Sequence, residues 1–561
     1  MQKQTNTNQA AETRVPGTRG GSLTYRLAQP VTTLNYMLAA DEPSVIVTLF
    51  VMNSRLISFD PEKQQHVPSL AESYTMQPDG QTVDLVLRDG LKFSDGQPLT
   101  TDDVIFTLEA IYDERTQAAA FRDGMLIGGK PISMKKVDER RMQFVFPERI
   151  ALAENYLENL AVLPKHVLSA ARDAGKLAET WKIDSDPAAV VTSGPFVVGE
   201  SVPGEKLVLR RNPHYWGRDA NGQQLPYLDE LVLEVVADAN NAFVRLGQGS
   251  IDIADRIRGT DYASLKTSGG AVKAIDLGPG FANDHIWFNL NRSTPDGKPL
   301  ANQVKYAWFS DKRFRKAVSH AVDRNSIATN TLQGLATPLF GFVSAANKAW
   351  LDPSLPKPEY SLDKAGQLLT DAGFVRRGTP DSPELFDADG NRVEFTLVVQ
   401  DNNEQRKLTA AVIQQDLAKL GIKMNIANVD TAALTKMWTT TFDYDAISLG
   451  LAVTGTDPSA SANFLLSSAA VHQWQPSQKQ PATEWEARID RLYREQAKEP
   501  DQAKRRELFY EIQRIMAEES PIIPIVSRHI VSAANSRVGN YAPSVMLPYS
   551  LWNAEELFVR N

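Results

Sequence analysis

The sequence predicts an α/β protein in two large parts, on three observations. The first part is rich in strand patterns, a strand–helix–strand unit lies at 394–429, and a short apolar strand, IIPIV at 522–526, follows the last helices. A strand that closes the second part in this way often does so by returning to the first, which gives two chain crossovers and a hinge.

The strand-rich part begins at Ser22. SLTYRLAQ, TVDLVLRDGLKFS and RRMQFVFP alternate or cluster β-formers between Gly, Pro and Asp. TSGPFVVGESVPGEKLVLRRN reads as two antiparallel strands around Pro203–Gly204. The pattern changes near 311. There Asp311 is placed to cap a helix that turns Phe314, Val318, Ala321 and Val322 to one face. Ser361 caps the next helix, which buries Leu362, Ala365, Leu368, Leu369 and Ala372 and stops at Gly373. Then come a strand at 394–400, a helix over 404–420 burying Leu408, Val412, Ile413, Leu417 and Leu420, and a strand at 422–429. That order makes a βαβ unit, so this part is a parallel or mixed sheet with helices. Two more amphipathic helices, about 484–498 and 501–518, precede the closing strand. Residues 1–20 are polar, with Pro16, Gly17 and Gly20 and no periodicity, and read as a flexible arm.

Composition narrows the function. The 561 residues allow three or four units of roughly 150 residues each. The hydrophobic share of 42% beside 23% charged residues suits a globular chain with a large core. The net charge is −8 and no long basic run occurs, which disfavours a nucleic-acid partner. Without cysteine there are no disulfides, thiolate metal sites or Cys nucleophile. The opening MQKQTNTNQAAETRVPGTRGG has no apolar core of a signal peptide. The simplest expectation is a mature sequence from which an export signal, and any lipid-anchor cysteine, has been removed. No apolar run approaches the ~18 residues of a membrane span.

Catalytic and cofactor motifs are missing. GxSxG, HExxH and GxxxxGK[ST] do not occur. Gly128–Gly129 precedes Lys130–Pro131, and Gly278 and Gly280 lack the rest of a dinucleotide fingerprint, so both read as turns. DADG at 387–390 lacks the full ligand series of a calcium loop and reads as a hairpin turn. Of the seven histidines no two lie three or four apart, so no helix presents a histidine pair to a metal. The expectation is no metal, no cofactor and no catalytic residue. A carboxylate pair distant in sequence remains open.

One block is specific: LAESYTMQPDGQTVDLVLRDGLKFSDGQPLTTDDVIFTL at 70–108. Asp79–Gly80 turns one hairpin, Asp89–Gly90 and Asp95–Gly96 the next, and Thr100 caps a helix that starts with Asp102 and Asp103. TSGPFVV (192–198), LVLRRNPHYW (207–216), LPYLDELVLEVV (225–236), LGQGSIDIA (246–254), FNLN (288–291), KRFRKAVSHAVDR (312–324) and DYDAISLG (443–450) follow in order. Together they resemble the dipeptide- and oligopeptide-binding group of extracellular solute-binding proteins, family 5, over about residues 20–561. The resemblance implies a two-lobe periplasmic-binding-protein (venus-flytrap) α/β fold with an extra β-rich subdomain in the first lobe. The change of composition near 311–330 and the late IIPIV strand put lobe I at 21–325, lobe II at 326–524 and a return to lobe I at 525–561, behind the arm at 1–20. The resemblance also implies capture of a peptide-like ligand between the lobes, delivery to ABC permease subunits, a monomer, and a periplasmic or extracytoplasmic location, with no enzyme activity. The same fold hosts oligosaccharide, opine and chelate binders, and a hydrolase on a similar frame or a sensory docking protein are further readings.

The resemblance also nominates site residues. In peptide binders lobe II offers a strand to the ligand main chain, here Ser448–Leu449–Gly450–Leu451–Ala452. Where those proteins place an Asp for the ligand ammonium, this chain has Thr454, and Asp457 is the nearest substitute. Where dipeptide binders place an Arg, it has Gln400, Asp401 and Asn402. In lobe I, Asp41, Glu42 and Asn53 match the cleft edge, with Phe121 and Trp287 as further candidates. Tryptophan is more often core than cleft, and Glu42 reads equally as plain surface.

Overall fold

The computed structural model describes residues 14–127, 129–300, 303–451 and 456–560. Within it the chain packs as two compact units, residues 1–277 with 531–561, and residues 278–530.

In the first unit the strand Ser22–Leu27 is central. It pairs in parallel with Glu230–Val235 on one side and with Ile253–Asp255 on the other. Phe196–Val202 and Lys206–Arg211 form the expected hairpin and extend the sheet antiparallel from Glu230–Val235. The last residues of the strand Ile522–Asn535 close the other edge, with Ala533 and Ser532 opposite Ala254 and Asp255. Alternate side chains Leu23, Tyr25 and Leu27 point into the core, as the period of two requires. A second sheet is antiparallel throughout, in the order Ala71–Met76, Thr82–Leu87, Arg141–Val145, Ser133–Lys136. It is the β-rich subdomain. The helix Thr101–Tyr112 begins with a capping box, Thr100 N–H donating to Asp103 Oδ2 at 2.9 Å and Asp102 N–H to Thr100 Oγ1 at 3.3 Å.

TSGP is explained by close packing of backbone. Gly194 N–H donates to Met52 O at 2.8 Å, and Asn212 Nδ2 donates to Gly194 O at 2.8 Å. Ser54 N–H donates to Ser193 Oγ at 3.1 Å and Ser54 Oγ to Ser193 O at 2.9 Å. A Cβ on Gly194 would lie 2.4 Å from Met52 C, so only glycine allows the approach.

The flexible arm expected at 1–20 needs correction for its described part. Arg14 donates to Glu556 at 2.7 Å, and both main-chain groups of Val15 bond the Asn540 side chain at 3.0 and 2.8 Å. Gly17 lies against the rings of Phe558 and Tyr227. These contacts involve residues more than 200 positions away, most of them at the far end of the chain, which local sequence cannot reveal.

In the second unit the sheet order is Ile522–Asn535 (its first residues), Asn283–Phe288, Ala446–Leu451, Glu394–Gln400, Lys423–Val429. The βαβ unit is present: Glu394–Gln400 and Lys423–Val429 pair in parallel in full register, joined by the helix Glu404–Lys419. Helices Lys312–His320, Leu362–Asp371, Glu484–Gln496 and Gln502–Glu519 start at the caps Asp311, Ser361, Thr483 and Asp501. The division therefore falls at 277/278 and 530/531, not at 325/326 and 524/525. The strand Asn283–Phe288 inserts between 446–451 and 522–526, which places it, and the chain after it as far as 530, in the second unit. The closing strand is also longer than IIPIV, running from Ile522 to Asn535 through the second crossover. On the helix Glu404–Lys419, Leu408 is 55% exposed instead of buried. Arg406 takes the inward position, in line with Thr409, Ala410, Ile413 and Leu417.

Two buried titratable groups are expected to make the fold acid-sensitive. Burial pushes His285 from 6.5 to about 4. Burial would raise Glu486, but bonds from His472, Gln478 and Trp474 outweigh it and hold its carboxyl at about 2 against an ordinary 4.5. The unfolded chain protonates His285 at 6.5 and the folded chain only near 4, so its share of stability is lost as pH falls through that window. Glu486 adds a loss between 4.5 and 2. Each contributes on the order of 3 kcal/mol. Urea unfolding of the wild type should weaken steadily from pH 6.5 towards 4, with a clearly shallower slope for His285→Gln. Equal slopes would remove His285 as the cause.

Candidate ligand-binding site

The site-forming feature of the second unit is an overhanging strand. Ala446–Leu451 pairs with Asn283–Phe288 along its whole length. On the other side it pairs with Glu394–Gln400 only from Ala446 to Ser448. From Leu449 onward that edge has no strand neighbour among the described residues. Ser448 is buried at the junction, and Leu449 packs on the core below.

Beside this edge stand three charges that the sequence did not nominate. Arg406 donates from Nη2 to Asp284 Oδ1 at 2.7 Å and from Nη1 to Gln400 Oε1 at 2.6 Å. Arg528 Nε meets Asp284 Oδ2 at 2.9 Å, and its Nη1 donates to Gln405 at 3.2 Å. Burial alone would raise the Asp284 carboxyl, but the guanidiniums of Arg528 and Arg406 hold it below the usual carboxylate range. Two cations therefore share one anion. Arg406 is 5% exposed and its buried Nε has no hydrogen-bond partner, while Arg528 is 34% exposed. A Cβ on Gly450 would lie 3.1 Å from Arg406 Nη2 and 3.2 Å from Asp284 Oδ1, so glycine lets the strand pass close over the cluster. Of the residues that stand where dipeptide binders place an Arg, Gln400 holds Arg406 and reaches Thr431 at 3.1 Å, and Asp401 and Asn402 form an exposed turn.

Asp457 is not available as an ammonium partner. Arg505 grips it with two bonds of 2.6 Å each, and Ser459 N–H donates to it at 2.9 Å. Burial would raise its carboxyl, and Arg505 more than compensates. Thr454 and Ala452 lie outside the described residues, and of Leu451 the backbone alone is placed, as the end of the strand.

In the first unit the expected residues divide. Asp41 is a helix cap, accepting from Ser44 N–H at 2.8 Å and from Ser44 Oγ at 2.7 Å. Its neighbour Glu42 pairs with Arg256, and burial pushes the Glu42 carboxyl up despite that partner. Arg256 stacks on the ring of Tyr549, 5.2 Å from its centroid. Both residues have positive φ, 53° and 56°, a conformation that non-glycine residues hold only where surrounding structure imposes it, and which gathers at functional sites. Asn53 is buried, its Nδ2 donating to Thr48 O at 2.7 Å while Oδ1 stays without a partner. Phe121 packs edge-on against Tyr36 at 5.4 Å. Trp287 belongs to the second unit and is wholly buried beside Trp438, the core position that tryptophan usually takes, which removes it from the site.

Sequence reasoning missed Asp284, Arg406, Arg528, Arg256 and Tyr549. One signal was present. Arg406 stands in the first turn of a helix, where a cation opposes the macrodipole, and on its inward face.

The chain belongs to the bacterial extracellular solute-binding proteins, family 5, whose middle region it matches over residues 65–473. It is 29% identical over 545 residues to a probable ABC transporter-binding protein of Deinococcus radiodurans, covering 93% of this chain and 89% of that one. The oligopeptide-binding protein AppA of Bacillus subtilis, solved in complex with a nonapeptide, superposes with a TM-score of 0.74 at 25% identity, covering 97% of this chain and all of AppA. The ABC transporter substrate-binding protein CtaP of Listeria monocytogenes gives a TM-score of 0.77 at 23% identity, with 97% and 100% coverage. The fold is the two-lobe α/β fold of these periplasmic binding proteins. Among the described residues no helix is long and apolar enough to cross a membrane.

Proposed function

We propose that this protein captures peptides outside the cytoplasm for an ABC importer and passes them unchanged to the permease. The free edge of Leu449–Leu451 is the observation that carries this reading, because it can take a ligand main chain as an added strand. The guanidinium excess of Arg406 and Arg528 over Asp284 favours a ligand that brings a carboxylate to the same edge. The likeness to AppA, which binds a nonapeptide, supports the choice of peptide. Membership of a family of transport binding proteins supports binding without turnover.

On this reading the site does not depend on a free amino group of the ligand. Thr454 carries a neutral hydroxyl, and Asp457 is neutralised by Arg505. Calorimetric titration with matched peptides tests the reading. N-acetylation should change affinity by less than about threefold, whereas amidation of the C-terminus should cost about tenfold, the worth of one charge-assisted hydrogen bond. In Arg528→Gln, where Asp284 and Arg406 balance, acid and amide should bind alike. Loss of binding on acetylation, or equal binding of acid and amide to the wild type, overturns it. Peptides recovered after long incubation should be intact.

A further inference from the structure

A cavity of about 440 Å³ lies wholly inside the second unit, apart from the strand edge. Its walls come from the end of helix Lys312–His320, the end of helix Gln502–Glu519, the start of the strand Ile522–Asn535 and the loops at 340–342 and 356–359. Phe340, Phe342, Met516, Ile522 and Pro524 make the apolar floor, and Pro356 and Pro358 add flat faces at the side. This size and lining are those of small-molecule pockets.

The rim carries excess positive charge. Three lysines, Lys316, Lys357 and Lys364, stand against two carboxylates, Glu359 and Glu518. Glu518 is already shared, accepting from Lys316 at 2.8 Å and from Lys312 at 2.9 Å. Glu359 is taken by Lys364 at 2.5 Å. Lys357 is exposed and has no ion pair among the described residues. His320 turns Nδ1 to Glu359 O at 2.8 Å, which leaves Nε2 as a further polar atom on the rim. An apolar floor under an unbalanced ammonium complements a ligand with a flat apolar body and one negative charge.

We infer that this cavity is a second ligand site, independent of the strand edge, for a small organic anion with an aromatic or alicyclic body. The probe is 1-anilinonaphthalene-8-sulfonate, followed by fluorescence on the full chain, with N-phenyl-1-naphthylamine as the neutral analogue. Saturable binding of one equivalent is expected, and the neutral analogue should bind about tenfold more weakly. Ala517→Trp, which fills the cavity from its helical wall, should abolish the saturable phase. Lys357→Glu, an exposed change that leaves packing untouched, should weaken it at least about fivefold. Arg528→Gln, at the strand edge, should leave it unchanged. Unchanged affinity in Lys357→Glu, or loss of the signal in Arg528→Gln, places the probe elsewhere and overturns the inference. So does unchanged binding in an Ala517→Trp protein that melts as the wild type does.

Discussion

Arg505→Met should destabilise the protein by about 3–5 kcal/mol, the usual cost of leaving a buried carboxylate without its partner. Asp457 is 11% exposed and Arg505 3%, and the pair is joined by two bonds of 2.6 Å. Arg505 also donates from Nε to Gln496 O at 2.9 Å and stacks 5.2 Å from the Trp350 centroid, so its loss opens packing as well. Asp457→Asn strands the guanidinium and should cost a similar amount. The double change Asp457→Leu with Arg505→Met should recover part of the loss, because no buried charge then remains. Urea unfolding measures all three. A single variant within about 1 kcal/mol of the wild type would mean that water reaches the pair.

Gly194→Ala should be equally severe. The added methyl would meet Met52 C at 2.4 Å, Met52 O at 2.5 Å and Asn53 N at 2.7 Å, all backbone atoms that cannot swing aside. Separating the two segments breaks the Gly194–Met52 bond and strains the Ser54–Ser193 pair, in a part of the first unit with little free volume. A loss of about 3 kcal/mol or more is expected, from overpacking together with an unsatisfied buried amide. Gly247→Ala is the control. That glycine ends the helix Ala239–Gly247 with open space where a Cβ would sit, and alanine there should be neutral or stabilising by up to about 1 kcal/mol. Equal melting of both variants with the wild type would contradict the packing argument.

By itself the sequence determined the elements and the family. Period and caps located the helices that start at Asp311, Ser361 and Thr100, because a cap and its first turn are local in the chain. The βαβ unit at 394–429 and the hairpin around Pro203–Gly204 were legible for the same reason. The strand at 446–451 was legible in part through the resemblance, which put it at 448–452. Only the tertiary structure decided where the units divide, because the strand Asn283–Phe288 joins 446–451 and 522–526 by hydrogen bonds between residues far apart in the chain. The charges of the site were decided in the same way. Asp284, Arg406 and Arg528 stand up to 244 residues apart in sequence, and nothing in the neighbourhood of any one of them specifies the other two. Asp457 reads in sequence as a free carboxylate near the site, and folding brings Arg505 onto it from 48 residues away. Short-range pattern fixes conformation, whereas the balance of buried charge is set by whichever groups the fold brings within a few ångströms of one another.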